Sequence, residues 1–372
     1  MRARPILYFG LISLFLNFVV SFLATIIVPY LGFFSFPDLL DSFRLPDFVK
    51  RFAGFDGLHY LNIALSGYER NEVAFFPLYP ILIRSLASVS GLIFPLVALS
   101  IAWVSLIASL LILPRYLSLT GLSKNAKWFI IFLLTFPTSF FLQSAYSESL
   151  FIVLVLLCLF TNKGGNFWAS ALFAYLAGAT RVVGIFLVIP LLFSGARRRL
   201  SLLLAPMLGF ISYAGYLWFT TGDGLKFFHV QSQFGAGRTT KVILLPQVLY
   251  RYLRIFLTAD LTYTYFISVV EFSIFIFVLS ILLFDLYKII KKKAAGNLPD
   301  RLGLNLFGLT MLVFPTVTGT LLSIPRFVLP ILTLYLVLSE INNLYFKIVI
   351  AGFFAILHVI LLMFFIQGYF VA

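Results

Sequence analysis

Charged residues are scarce in this chain, and their scarcity excludes an ordinary soluble domain. Asp, Glu, Lys and Arg make up only 11% of the 372 residues, whereas 62% are hydrophobic. Soluble globular proteins carry about 25% charged residues. A chain of this composition is expected to have lipid hydrocarbon as its main solvent. We therefore predict an integral membrane protein.

Cysteine and the common catalytic motifs are also nearly absent. The single cysteine, Cys158, lies in an apolar run, so it can form neither an intrachain disulfide nor a Cys-rich metal or dithiol site, and we interpret it as a packing residue. The sequence contains no Asp-x-Asp pair, HExxH, P-loop or dinucleotide-binding glycine motif. It therefore indicates no nucleotide-sugar donor, no obligatory metal and no cofactor.

Polar interruptions are few, so the apolar runs are long. Residues 92–114 and 348–365 form two such continuous runs. Strands of a membrane barrel would instead alternate apolar and polar residues over about ten positions. Since hydrocarbon offers the backbone no hydrogen-bond partners, the runs predict helices. We expect an all-α polytopic fold that forms a single transmembrane domain over residues 1–372.

The basic residues predict how the chain threads through the membrane. The net charge is +14, but Lys and Arg occur in short clusters beside apolar runs rather than on one basic surface. Membrane topology explains such clusters better than nucleic-acid binding does, because cytoplasmic loops gather Lys and Arg. The cytoplasmic set is the N-terminus, Arg115, Lys124, Lys127, Lys163, residues 197–199, Lys288, residues 291–293, Arg301 and Lys347. About eleven spans result, at 6–30, 91–113, 128–145, 148–161, 167–180, 182–195, 200–219, 262–287, 302–322, 327–342 and 345–367.

Two long loops then reach the extracytoplasmic side, at residues 33–74 and 220–261. Segments 75–89 and 246–257, which are apolar but interrupted by proline or arginine, are expected to be interfacial helices on that side. The uncommon polar residues concentrate in or beside these loops, which predicts a functional site at this face.

Asp56 is the acid in the first loop that is best suited to chemistry. It precedes Gly57 and has His59 and Tyr60 nearby instead of solvating charges. A carboxylate here can accept a proton from a hydroxyl nucleophile, with His59 and Tyr60 in contact with the substrate. The alternative is a simple turn, which Asp-Gly favours.

Three arginines on the same side are candidates to bind phosphate, since guanidinium is permanently charged and presents forked donors. Arg181 joins two apolar runs, where the alternative is snorkelling to the interface. Arg326 follows Pro325 at a helix start, a poor place for a cation without an anionic partner. Arg238 lies in a Gly-rich loop, where the alternative is a solvated side chain. Glu148 opens an apolar helix, either as a favourable charge on the helix dipole or at the rim of the site.

A series of short motifs runs in a characteristic order through residues 50–330. It begins with Phe-Asp-Gly-Leu-His-Tyr at 55–60 and Phe-Phe-Pro-Leu-Tyr-Pro at 75–80, and continues with Phe-Pro-Thr at 136–138 and Tyr-Ser-Glu-Ser-Leu-Phe at 146–151. Thr180-Arg181 with Gly184, Gln233 with Arg238, and Pro-Arg-Phe at 325–327 follow. The series resembles the PIG-V type mannosyltransferases (GPI mannosyltransferase II-like), which are polytopic GT-C glycosyltransferases.

The resemblance implies an enzyme that moves a hexose, mannose in that family, from a polyprenyl-phosphate donor to a lipid-linked or glycan acceptor. The reaction would occur outside the cytoplasm, at the plasma membrane of a prokaryote or in the endoplasmic reticulum of a eukaryote, with inversion at the anomeric carbon. Asp56 matches the family's general base, and the residues expected to bind substrate are His59, Tyr60, Glu148, Arg181, Gln233, Arg238 and Arg326. Phe55 stands where the family commonly has Trp, and the usual Trp beside Arg238 is missing; both departures concern the sugar and the acceptor.

Two other classes of function compete with an enzyme. A transporter or lipid flippase would place ionisable groups at mid-membrane and show internal repeats. Here the candidate residues gather at one face, and the two halves of the sequence show no convincing repeat. A structural scaffold would need neither Asp56 nor the arginines. The expected partners are therefore the sugar donor, the acceptor and membrane lipids, without nucleic acid.

Overall fold

The computed structural model describes residues 3–122, 125–195, 200–234 and 238–371. Most of these residues are helical, and there is no β-strand among them. The α-helices are α1 (Ala3–Ile27), α2 (Pro37–Ser42), α3 (Asp47–Lys50), α4 (Asp56–Ser66), α5 (Leu78–Ser90), α6 (Phe94–Thr120), α7 (Ala126–Thr135), α8 (Glu148–Lys163), α9 (Phe167–Thr180), α10 (Val188–Phe193), α11 (Leu200–Thr221), α12 (Lys226–His229), α13 (Leu245–Thr258), α14 (Tyr263–Ile290), α15 (Leu298–Val313), α16 (Ile324–Phe327), α17 (Leu332–Ser339) and α18 (Leu344–Ile366). Short 3-10 helices lie at Arg51–Ala53, Arg70–Ala74, Ser139–Leu142, Val182–Leu187, Val230–Phe234 and Phe314–Thr318.

Six helical segments among the described residues are long and apolar enough to cross a membrane, which confirms an all-helical integral membrane protein. They are Arg4–Ile27, Phe94–Thr120, Ser201–Thr221, Tyr263–Ile290, Leu298–Thr318 and Leu344–Ile366. Each corresponds to one of the predicted spans. A crossing helix needs about 20 residues, so helix length supports six crossings, and the count of eleven stays a prediction.

The other five predicted spans contain shorter or interrupted helices. The clearest case is the span predicted at 128–145, where α7 ends at Thr135 after ten residues. Pro137 causes this end, because the residue before a proline disfavours the α conformation, and Phe136 accordingly has a ψ of 141°. The span predicted at 182–195 likewise divides into a 3-10 helix and the six-residue α10.

Helix α8 forms the centre of the bundle. Almost its whole length is buried, from Glu148 at its start to Asn162 near its end. Its neighbour α9 approaches α11 very closely, because a Cβ at Gly178 would lie 2.0 Å from the carbonyl oxygen of Pro206, and one at Gly209 would lie 2.0 Å from that of Tyr175. Small residues permit such close backbone contact between membrane helices.

One end of the bundle carries a buried charge cluster. Arg301 donates to Asp285 Oδ1 at 2.5 Å and to Glu340 Oε1 at 2.5 Å. Lys163, at the end of α8, lies 2.7 Å from Asp300 Oδ2. Both basic residues belong to the predicted cytoplasmic set. Lys124 and residues 197–199 of that set lie outside the described residues.

The candidate site lies at the other end. Glu148 opens α8 and Lys163 closes it, so their backbones are about 22 Å apart at 1.5 Å per residue. Glu271 and Asp285 are similarly separated along α14, by about 21 Å. Glu148 and Lys163, which the predicted topology assigned to opposite sides of the membrane, therefore lie at opposite ends of α8.

A buried polar network fixes the segment that leads into α8. His358 of α18 lies 2.8 Å from Asn17 Oδ1 of α1 and 3.0 Å from Ser139 Oγ. Asn17 in turn donates to Gln143 at 2.9 Å. His358 is thus a buried, hydrogen-bonded residue, and the network ties both terminal helices to the irregular stretch between α7 and α8.

Helix α13 is strongly amphipathic. It buries Val248 and Tyr252, while Tyr250, Leu253 and Leu257 are exposed. Exposed apolar side chains beside Arg254 are typical of a helix that lies in a membrane interface. The structure thus forms a helix with the properties predicted for segment 246–257.

Candidate active site

Asp56 opens α4 directly after a strained residue. Phe55 has a φ of 52° and a ψ of −116°, a region that side-chain-bearing residues rarely adopt. Its ring packs against those of Phe34, Phe365 and Phe370 at centroid distances of 5.3, 5.5 and 5.7 Å. This packing holds the strained turn and presents Asp56 in the first turn of a helix, where the helix dipole favours a carboxylate.

Two acids and two arginines form a continuous network around Asp56. Arg326 Nη1 lies 2.7 Å from Asp56 Oδ2, and Arg326 Nε lies 3.3 Å from Glu148 Oε1. Arg181 Nη1 lies 2.5 Å from the same oxygen of Glu148. The charges alternate along the chain of contacts, which joins four elements that are distant in sequence.

A tight turn positions Arg326. Ser323 has a φ of 67° and caps α16, a one-turn helix that carries Arg326. Thr138 of the Phe-Pro-Thr motif donates its hydroxyl to the carbonyl oxygen of Pro325. The guanidinium lies over the ring of Tyr146 at 5.2 Å, a favourable cation–π position. Motifs around residues 136–151 and 325–327 therefore meet in space.

The electrostatics hold Asp56 as a carboxylate. Burial alone would raise the pKa of Asp56, but Arg326, followed by His59, outweighs burial and keeps this pKa below its ordinary value. Burial likewise opposes the charge of Arg326, yet Asp56 and Glu148 raise the pKa of the guanidinium. Both groups are therefore charged at neutral pH.

Tyr60 follows Asp56 by one helical turn on α4. Its hydroxyl lies 3.0 Å from Ser147 Oγ, just before Glu148. Burial raises the pKa of Tyr60 to about 12, so this hydroxyl stays neutral and offers a hydrogen bond rather than a base.

A cavity of about 250 Å³ opens over these groups. Its walls are mostly aromatic and apolar, and its polar face carries Asp56, Tyr60, Arg181, Gln231, Arg238 and Arg326. A mostly apolar pocket with a few convergent polar groups is the usual form of a small-molecule site. Five of the eight residues named from the sequence thus share one cavity.

The other three predicted residues lie outside the cavity lining. The His59 ring stacks on Phe75 at 4.9 Å, and its Nδ1 lies 3.7 Å from Glu72 Oε1. Glu148 is only 1% exposed and lies behind the two arginines that it pairs with. Gln233 is on the same short helix as Gln231, but only Gln231 reaches the cavity.

Arg238 is the least neutralised cation of the cavity. Its Nη1 donates to Gln231 Oε1 at 3.1 Å, and no carboxylate of the described residues lies within ion-pair distance of it. Burial lowers the pKa of this guanidinium. Two carboxylates and three arginines leave the site with one positive charge in excess, which suits an anionic ligand. The prediction from the sequence named Gln233 and not Gln231, because no motif distinguishes the two glutamines.

A second cavity of about 450 Å³ lies beside the first. Phe76 lines the first cavity and packs at 4.9 Å on Tyr213, which lines the second. The lining of the second is apolar apart from a few groups, namely Tyr68, Arg84, Tyr175, Ser212, Tyr213 and Tyr216. The Phe76–Tyr213 ring pair therefore lies between the two spaces.

Apolar helices surround a mostly apolar cavity that is lined by an acid and three arginines, and they define an integral membrane protein with a candidate ligand site. The family model described as Mannosyltransferase (PIG-V) matches residues 6–205, more than half of the chain, and the chain belongs to this family. The match confirms the resemblance seen in the motifs. Together with the six candidate spans, it makes the chain a membrane mannosyltransferase. The matched region contains Asp56, Glu148 and Arg181, whereas Arg238 and Arg326 lie beyond it. The search of curated proteins gave no match.

Proposed function

We propose that this chain transfers a hexose, mannose by its family, from a polyprenyl-phosphate donor to a hydroxyl of a lipid-linked or glycan acceptor. The proposal rests on one observation. In a single cavity, a carboxylate with one oxygen that accepts no hydrogen bond lies beside arginines whose positive charge exceeds the negative charge of the nearby acids. Arg326 Nη1 lies 2.7 Å from Oδ2 of Asp56, and Oδ1 accepts no hydrogen bond from the described residues. A free carboxylate oxygen beside cations suits a base that works next to a phosphate.

In the proposed reaction Asp56 Oδ1 takes the proton of the acceptor hydroxyl. The acceptor oxygen attacks the anomeric carbon and forms the new glycosidic bond, while the bond from that carbon to the phosphate oxygen breaks. The phosphate leaves with the bonding electron pair. Direct displacement inverts the anomeric carbon, and no metal is required for this balance of atoms and charge.

The arginines have the geometry to stabilise the departing phosphate. Arg326 and Arg181 are fixed by Glu148, so they are held in place before substrate binds. Arg238 supplies the charge that no described carboxylate neutralises. Preorganised cations in a water-poor cavity lower the cost of developing negative charge.

The second cavity supports a substrate with a lipid tail. Its wall includes residues of α11, which is a candidate span, so an isoprenoid or acyl chain reaching it stays in an apolar environment. Arg84, at its edge, has no carboxylate partner among the described residues and suits a lipid phosphate. The apolar chain would lie there while the sugar phosphate occupies the cavity at Asp56.

The proposal includes a GT-C-like fold with about eleven membrane crossings, and it places the site on the extracytoplasmic face. The buried cluster of Arg301, Lys163 and their acidic partners at the opposite end supports that orientation, since basic residues favour the cytoplasm.

The proposal is tested by incubating purified protein in liposomes with radiolabelled polyprenyl-phosphate mannose and membrane lipid acceptors. We expect labelled glycolipid to form with the wild type and with Asp260→Asn, an exposed outer-loop control. Donor that crosses the liposome membrane without any transfer would instead show a transporter or flippase and overturn the proposal.

A further inference from the structure

Glu271 is a buried acid that the proposed reaction does not use. It lies in α14 within a candidate span, and only 2% of it is exposed. An isolated charge inside a membrane costs on the order of 3 kcal/mol, so such a residue needs polar partners. The hydroxyl of Tyr252 donates to Glu271 Oε2 at 2.6 Å.

Tyr252 connects this acid to the turn that precedes Arg326. Its hydroxyl oxygen accepts from the backbone N–H of Leu321 at 3.1 Å and lies 3.3 Å from Thr320 Oγ1. The backbone amide of Ser323 also lies against the Glu271 carboxylate. Glu271 and Tyr252 thus contact the turn at successive points along its backbone.

The held turn is strained and leads straight to the site. Ser323 has a φ of 67°, which residues with a side chain rarely adopt, so the turn needs restraint at this position to keep its shape. Arg251 of α13 donates to the carbonyl oxygen of Gly319 at 2.9 Å. Three residues after Ser323, Arg326 meets Asp56.

We propose that Glu271 and Tyr252 are positioning residues that hold the 319–323 turn so that Arg326 pairs with Asp56. They touch neither substrate nor reacting atoms; they act through the backbone of the turn. The kinetic part of the idea rests on the proposed mannosyl transfer, whereas the structural part does not.

Hydrogen exchange of the backbone amides at 319–323 tests the structural part without an activity assay. Glu271→Leu and Tyr252→Phe should each speed this exchange at least tenfold, and the double variant should exchange no faster than Glu271→Leu. Glu271→Gln, whose amide oxygen still accepts from Tyr252, should restore slow exchange. Tyr250→Phe, an exposed tyrosine of the same helix, is the matched control and should behave as wild type.

The pH dependence of transfer tests the kinetic part. The charged and titratable groups that face Asp56 are Arg326, His59, Tyr60, Arg238, Tyr146 and Glu148. In Glu271→Leu the loosened turn should let Arg326 move away from Asp56, which raises the pKa of the carboxyl. The acid limb of the kcat/KM profile should then move to higher pH by about one unit. A general loss of folded protein would lower the rate without moving that limb.

Unchanged exchange at 319–323 in both Glu271→Leu and Tyr252→Phe would overturn the proposal, and so would an equal rise across α15. An unmoved acid limb in an active Glu271→Leu variant would overturn it as well. If the wild type transfers no mannose, the proposed function fails, while the exchange result still decides whether Glu271 and Tyr252 hold the turn.

Discussion

Arg326 Nη1 lies 2.7 Å from Asp56 Oδ2, and Asp56 Oδ1 accepts no hydrogen bond from the described residues. The acid lies within the region matched by the family model, and the arginine lies beyond it. Their pairing keeps Asp56 ionised and oriented, yet one oxygen stays open to a hydroxyl proton. The following predictions depend on this arrangement and on the groups around it.

Arg326→Gln is expected to lower kcat/KM by about 10² to 10³, the loss typical of one charge-stabilising donor. It should also shift the pH profile. A base works only when ionised, and Arg326 holds the pKa of Asp56 below its ordinary value. Losing the cation therefore raises that pKa, and the acid limb moves to higher pH. Arg326→Lys, which keeps a positive charge, should reverse part of this shift. An acid limb at the same pH in wild type and both variants would contradict the pairing.

Glu148→Gln is expected to destabilise the protein by about 3 kcal/mol, because it leaves buried arginines without their shared anion. The double variant Glu148→Gln/Arg181→Gln should regain part of that stability, since it removes one uncompensated charge. Transfer should stay low in both. Thermal unfolding in detergent measures the stability of each variant. If the stability losses of the two single substitutions simply add in the double variant, Glu148 and Arg181 are not a coupled pair.

Arg238→Gln is expected to raise the KM for the donor about 10- to 100-fold, as one charge-assisted hydrogen bond to phosphate is worth about 1.5–3 kcal/mol. Thermal stability should change little, because Arg238 has no carboxylate partner in the described chain. Arg254→Gln on the exposed side of α13 is the control. Equal KM values in both variants would remove Arg238 from the phosphate site.

Gly209→Ala is expected to lower the melting temperature, because its Cβ would lie 2.0 Å from the carbonyl oxygen of Tyr175 and push α9 from α11. Overpacking of this kind costs about 1–3 kcal/mol. Gly215→Ala on the same helix meets nothing within 4 Å and should be neutral or slightly stabilising. Gly209→Ala should therefore melt at a lower temperature than Gly215→Ala. Equal melting temperatures would refute the close packing of α9 and α11.

The membrane class of the fold was predictable because composition and long apolar runs decide it. The point at which each helix ends was not, since counting apolar residues overlooks local breaks. Residues 128–145 read as one run, but Pro137 ends the helix at Thr135. Proline effects of this kind act on the backbone, which hydropathy ignores.

Much of the candidate site was predictable because motif order along the chain singled out Asp56, Arg181, Arg238 and Arg326, and all four share the cavity. The ion pairs that these residues form with each other were not predictable. The sequence left two interpretations of Glu148, a charge on the helix dipole or a group at the rim of the site. Its pairing with two arginines depends on how distant segments fold together. Gln231 and Glu271 carried no motif, and only their neighbours in space give them a role.

The most direct test of Asp56 as the general base compares donor binding with transfer in Asp56→Asn. The amide keeps the size of the side chain but cannot take the proton, so the transfer rate should fall by about 10² to 10⁴. Binding of polyprenyl-phosphate mannose should be equal or tighter, because a negative charge near the phosphate has been removed. Undiminished transfer by Asp56→Asn with bound donor would contradict the account.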